Sequence, residues 1–161
     1  MIVVKAPEPI PMDAPIVSVF LAGSIEMGKA VDWQTEITHR LRFLDVTVLN
    51  PRRDDWDSSW EQKISNDKFR EQVTWELSCL ERATHIAMYF DPTTKSPISL
   101  LELGLYAKTG KLIVCCPEGF WRKGNVDIVC SRYAVQQAAN LEQLIGWTIA
   151  KVSRSYATSR V

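Results

Sequence analysis

His85-Ile86-Ala87-Met88-Tyr89-Phe90, a helical stretch from Ser96 to Ala107, and Lys111-Leu112-Ile113-Val114-Cys115-Cys116 together decide the fold. Two near-continuous apolar runs flanking a helix read as strand, crossover and parallel strand, because strands covered on both faces lose the usual polar alternation. The same pattern continues outward in both directions. Residues 16–22, Ile-Val-Ser-Val-Phe-Leu-Ala, form another apolar run that ends at Gly23-Ser24, and Val46-Thr47-Val48-Leu49 is broken by Asn50-Pro51. Between these two, Trp33, Ile37, Leu41 and Leu44 recur at helical spacing behind a capping Asp32. A long helix is expected from about Asn66 to Arg82, and a last one from Asn140 to about Val152. Residues 126–135 supply a short fifth strand in this reading. The fold expected is α/β and doubly wound, a flavodoxin-like, mostly parallel five-stranded sheet with helices on both faces. It forms a single domain over residues 1–161, in which 1–15 is a Pro-rich leader. Ligands of such sheets bind at the carboxyl ends of the strands. That rule selects the segments 23–28, 50–60, 91–99 and 117–127.

Composition narrows the function. The chain has 161 residues, 46% hydrophobic and 24% charged, with a net charge of zero, which is the ordinary globular range. A nucleic-acid or membrane-surface binder leaves a basic footprint, so neither partner is expected. No apolar run approaches the roughly 18 residues that span a bilayer, and the start is too Pro-rich for a signal peptide. Cys79, Cys115, Cys116 and Cys130 lack paired metal spacing and read as reduced, buried thiols of a cytoplasmic protein. His39 and His85 are too scattered for a metal site. No metal or cofactor is expected.

Candidate chemistry starts at Glu102. Within Ser96-Pro97-Ile98-Ser99-Leu100-Leu101-Glu102-Leu103-Gly104-Leu105-Tyr106-Ala107 it is the one carboxylate. As a helix this segment is apolar on nearly every side, which predicts deep burial. A carboxylate there costs several kcal/mol of desolvation unless compensated, and such groups are enriched at catalytic sites. A second one follows from a helical wheel at about 100° per residue: Phe69, Val73, Leu77 and Leu80 form a stripe that includes Glu76. Two carboxylates in different environments are the equipment for breaking a glycosidic bond. Each has a bland alternative: for Glu102 a buried Glu satisfied by a partner Arg or by backbone donors, for Glu76 a tilted surface helix whose apolar stripe is merely wider.

Several residues carry a resemblance. Phe20-Leu21-Ala22-Gly23-Ser24-Ile25, Trp33-Gln34, Asn50-Pro51-Arg52-Arg53, Trp75-Glu76 and Ser99-Leu100-Leu101-Glu102-Leu103-Gly104 resemble the nucleoside 2-deoxyribosyltransferase-like family. Its superfamily also includes the deoxynucleoside monophosphate N-glycosidases. The resemblance implies that Glu102 is the nucleophile at C1′ of a deoxyribose. It places Glu76 at the position of an Asp beside sugar and base. Gly23 and Ser24 match the loop beneath the sugar. Ser96 stands where transferases hold the 5′-hydroxyl with a carboxylate and nucleotide hydrolases contact a phosphate with a Ser. Asn125 matches an Asn lent to a neighbouring subunit's site, which implies a homo-oligomer, a dimer or an assembly of dimers. Its loop, Phe120-Trp121-Arg122-Lys123-Gly124-Asn125-Val126-Asp127, carries two exposed-looking aromatics and polar groups, Asp127 among them, read as substrate-binding. Three departures stand out. Phe20 replaces a Tyr that hydrogen-bonds the nucleophile, Glu76 replaces the shorter Asp, and Glu26 stands where monophosphate hydrolases place an Arg.

The reaction implied is transfer of 2-deoxyribose between nucleobases through a covalent glycosyl-Glu102 intermediate. Alternatives are monophosphate N-glycosidase hydrolysis and an inactive nucleotide-binding domain. An oxocarbenium-like state is stabilised and then trapped by a carboxylate on the α face. The leaving base takes a proton from Glu76 or Asp91 if that group's pKa is raised. Trp56 and Trp60, in a polar loop, are candidates to contact the base, whereas Trp33 lies on an apolar helix stripe and reads as core. The partners expected are a nucleoside or nucleotide and a nucleobase acceptor.

Overall fold

A computed structural model describes residues 1–25, 30–57 and 59–158. The strands are β1 (Ile2–Lys5), β2 (Ser18–Gly23), β3 (Thr47–Asn50), β4 (His85–Tyr89), β5 (Leu112–Cys115) and β6 (Gln136–Ala138). The helices are α1 (Trp33–Leu41), α2 (Asp67–Arg82), α3 (Pro97–Tyr106), α4 (Lys123–Arg132) and α5 (Leu141–Thr158). All six strands pair in parallel in the order β1-β3-β2-β4-β5-β6. Without β1 this is the flavodoxin-like doubly wound order, and the direction of winding reverses between β2 and β4.

Alternating strand side chains feed two cores. One face of the sheet, with Phe20, Ala22, Ile86, Met88 and Val114, packs under α2, α3 and α4 through Leu80, Leu103 and Val126. Val19, Leu21, Ala87, Ile113 and Cys115 point the other way, against Trp33 and Ile37 of α1 and Leu144 and Ile145 of α5. Asp32 caps α1 by accepting from the Thr35 amide at 3.2 Å, and Asn66 caps α2 from the Phe69 amide.

Four expectations are corrected. The sheet has six strands, not five, and the additional edge strand β1 lies inside the segment read as a leader. Residues 126–135 are mostly helix, because Val126, Val129 and Cys130 recur at helical spacing and Val126 and Cys130 are buried; the strand follows at Gln136–Ala138. Helix α3 is buried on one side only, with Ile98, Leu101 and Leu105 exposed at 59%, 61% and 55%. On α2 the buried face runs through Gln72, Cys79 and Leu80, and Leu77 is exposed. Among the described residues no helix is long and apolar enough to cross a membrane.

Candidate functional site

The carboxyl ends of β2 and β4 meet where the winding reverses. Gly23 pairs with Tyr89 in the ladder, and its backbone is pressed so close that a Cβ would lie 2.2 Å from the Tyr89 carbonyl oxygen. Its φ of 131° is also one that residues with side chains rarely adopt. Only glycine fits both conditions. The next residue, Ser24, donates its amide to the Tyr89 carbonyl, and its hydroxyl turns into the protein.

There it joins a closed triangle. Ser24 Oγ lies 2.6 Å from Ser96 Oγ and 2.8 Å from Thr94 Oγ1, and Thr94 and Ser96 are 2.8 Å apart. The Asp91 amide donates to Ser24 Oγ, and Thr94 Oγ1 donates to the Asp91 carbonyl at 2.9 Å. All three hydroxyl residues are buried. Ser96, in the left-handed region at φ 43° and ψ 54°, is the last residue before α3, and Pro97 follows it. The triangle therefore ties the first residue of β2's loop to the start of the helix that carries Glu102.

Glu102 is 8% exposed and accepts no hydrogen bond from a described residue. Burial, followed by the nearby Glu76 carboxylate, pushes its pKa up to about 8. Glu76 approaches from α2, and burial raises its pKa too, opposed by one hydrogen bond from Gln72. The structure thus brings the two expected carboxyls within electrostatic reach and gives neither an ion pair among the described residues. Phe20, fully buried, stacks near Trp75 with ring centroids 6.3 Å apart and offers Glu102 no donor.

Asp91 behaves oppositely. Its Oδ1 accepts from the Thr93 amide and hydroxyl, at 2.9 and 2.7 Å, and its Oδ2 from the Val31 amide at 3.0 Å. Desolvation alone would raise its pKa, but these donors outweigh it and hold the group below the usual carboxylate range. The raised pKa that proton donation requires is absent. Asp91 is an Asx-turn carboxylate that pins Val31 to the β4 loop.

Asp127 lies elsewhere. It accepts from Lys123 Nζ at 2.9 and 3.1 Å and from Gln137 Nε2 at 2.8 Å, in a concavity of about 430 Å³ at the carboxyl ends of β5 and β6. Asn125 is exposed on α4. Of the two aromatics expected outside, Trp121 is 50% exposed, but Phe120 is buried at 3% against Phe90. Trp56 is half-buried, 5.1 Å from the Trp60 ring, and its indole N–H is buried without a partner among the described residues. Trp33 is core, as its stripe predicts, and its indole donates to the Ser24 carbonyl. Glu26, and with it the question of a charge at that position, lies outside the described residues.

Three contributors have no role assigned from the sequence. Thr94 completes the hydroxyl triangle, and no pattern announces it. Gln72 holds Glu76, and its helical i to i+4 spacing was a usable signal. Gln34, fully buried, accepts from Arg52 while its own amide nitrogen has no partner among the described residues. Burial holds the Cys79 and Cys115 thiols at about 11 and the Cys116 and Cys130 thiols at about 12, so none is a thiolate nucleophile near neutral pH. Among the described residues no cluster of His, Cys, Asp or Glu is arranged to hold a metal ion.

The family model for "nucleoside 2-deoxyribosyltransferase like" proteins matches residues 16–120. The chain belongs to that family, and the general kind of function that goes with it is nucleoside modification. No curated protein matches the sequence. Among solved structures, a conserved protein from Enterococcus faecalis V583 is similar at 11% identity and a TM-score of 0.58, over 81% of this chain and 96% of that one. That likeness is one of fold.

Proposed function

We propose that the protein transfers 2-deoxyribose between nucleobases, with Glu102 as the nucleophile and Glu76 as the acid that protonates the departing base. The observation that carries this reading is the unpaired, desolvated Glu102–Glu76 pair at the winding reversal. Two close carboxyls that are both reluctant to ionise share one proton and titrate as a unit. In the free protein that proton rests on Glu102; in the productive form it has passed to Glu76, which leaves Glu102 as the carboxylate. Glu102 attacks C1′ as the C1′–N bond breaks, and the Glu76 proton passes to the base nitrogen. An incoming base then displaces Glu102 from the opposite face and returns a proton to Glu76. Two inversions give net retention, with ping-pong kinetics.

A nucleoside is favoured over a monophosphate by the hydroxyl triangle. Ser24, Thr94 and Ser96 have one hydroxyl proton each, against three mutual contacts and the bond to the Asp91 carbonyl. An anion that can only accept finds no hydroxyl proton uncommitted in that set. The apolar stripe Ile98, Leu101 and Leu105, on the helix that carries Glu102, supports a homo-oligomer. Mixing Glu102→Ala with Asn125→Ala subunits restores partial activity if sites are shared between copies, whereas two inactive halves that stay inactive contradict sharing.

The deciding experiment follows base release from deoxynucleosides with and without a second base. Transfer requires the acceptor. Release of free base at the same rate without it indicates hydrolysis, and binding without turnover indicates an inactive domain.

A further inference from the structure

Gln72 has more to do than fill the buried face of α2. Its side chain is 4% exposed, and both protons of its amide nitrogen are committed, to the Pro51 carbonyl and to Glu76 Oε1, each at 2.9 Å. The first bond anchors the amide to the loop at the carboxyl end of β3. The second fixes which carboxyl oxygen of Glu76 is the acceptor. When Glu76 is protonated, the oxygen that accepts from nitrogen is the carbonyl one, so the proton resides on Oε2. Gln72 Oε1 remains, buried and with no hydrogen-bond partner among the described residues. Covalent geometry keeps it about 2.2 Å from its own nitrogen, on the same amide that holds the acid. A buried acceptor without a donor calls for a ligand or water to supply one.

We propose that Gln72 positions the acid and selects the base: its amide N–H directs the Glu76 proton to Oε2, and its carbonyl oxygen accepts an N–H from the departing base beside the atom being protonated. This rests on the reading of Glu76 as the acid. Among purines the adenine edge fits, with N7 as acceptor flanked by an amino donor, whereas 6-oxopurines present two acceptors there. An oxo group would face Gln72 Oε1 acceptor to acceptor. The charged and titratable groups around Glu76 are consistent with this assignment. Glu102 faces it from α3 and Cys79 lies on its own helix. From the β3 loop, Arg53 is engaged by Asp55 and Glu71, and Arg52 by Asp32 and Gln34.

Two measurements test it. In the first, base release from 2′-deoxyadenosine and 2′-deoxyinosine, with the same acceptor base present throughout, is compared for the wild type and Gln72→Met. The wild type favours deoxyadenosine by about tenfold in kcat/KM, the scale of one buried hydrogen bond, and Gln72→Met brings the ratio close to one. A ratio that Gln72→Met leaves unchanged overturns the selection of the base. In the second, carbon-13 NMR follows the Glu76 carboxyl through a pH titration of the free protein. Loss of the Gln72 hydrogen bond moves the Glu76 midpoint upward, and a midpoint that stays put overturns the positioning. Should Gln72→Met not fold, the wild-type Gln72 side-chain amide still decides: its resonances must titrate together with Glu76, and resonances blind to that titration refute the contact. A wild type that releases base from neither substrate counts against the functional reading, and the NMR midpoint then judges Gln72 by itself.

Discussion

Two sets of acidic residues sit at the carboxyl edge of this sheet, and they are treated in opposite ways. At the β5–β6 end, Asp127 is met by Lys123 and Gln137, and its pKa falls below the usual carboxylate range. At the β2–β4 end, Glu102 has no donor among the described residues, and burial together with Glu76 raises it to about 8. Partnered charges hold the fold together. Unpartnered ones oppose it, and a chain that keeps them is spending stability on something other than structure. Asp91 shows that proximity to the reversal point is not the criterion. It lies beside Ser24, yet its oxygens are saturated by backbone and hydroxyl donors.

The contrast breaks most sharply at the nucleophile. Glu102→Gln keeps the shape and removes the attacking charge. Base exchange falls at least about 10⁴-fold, the several kcal/mol of barrier that a covalent path supplies, while circular dichroism stays native. Near-normal turnover would make Glu102 a structural residue like Asp127. Next in size is Glu76→Gln, which removes the proton donor and lowers kcat by roughly 10²–10³ with little change in melting temperature. A large loss of stability with unchanged kcat would instead mark Glu76 as a structural partner.

Stability against pH separates the two ends without any substrate. The folded state holds a proton on Glu102 up to about 8, whereas the unfolded carboxyl releases it near its ordinary value of 4.5. Folding therefore takes up a proton between those values, and stability falls as pH rises through that window. Glu102→Gln removes this slope and is more stable than the wild type at pH 8 by on the order of a few kcal/mol. Parallel melting curves for the two proteins from pH 5 to 8 would contradict a desolvated Glu102. The smallest effect belongs to the partnered end, where Lys123→Met changes stability by about 1 kcal/mol or less and the exchange rate by less than about twofold. A larger kinetic loss in a stopped-time assay would bring that concavity into the site.

Much of this was legible in the residues, and the misses have physical reasons. Strands β2 to β5 are buried on both faces, so their apolar runs stand out. Strands β1 and β6 are edges. Ile2–Lys5 is short and followed by prolines, and Gln136–Ala138 is polar, since an edge strand needs no second apolar face. Helix α4 was hidden because its Val, Ile and Cys content suits a strand as well as a helix. Glu102 was visible as a lone carboxylate in an apolar run. That the run is exposed along Ile98, Leu101 and Leu105 was not, because composition cannot tell a core helix from one with an apolar outer stripe. For Asp91 the condition of a raised pKa is not met, and Asp followed two residues later by Thr is a turn signature. The hydroxyl triangle could not have been read, because it joins residues 70 and 72 positions apart.

Every step proposed for this site depends on a covalent bond between Glu102 and C1′. Mass spectrometry of the intact protein after incubation with a deoxynucleoside, quenched in acid without an acceptor base, tests it most directly. The expected result is a deoxyribosyl adduct that maps to the peptide containing Glu102, disappears on addition of a nucleobase, and never forms on Glu102→Gln. Release of free base with no adduct at any time point, or an adduct that persists in Glu102→Gln, would contradict it.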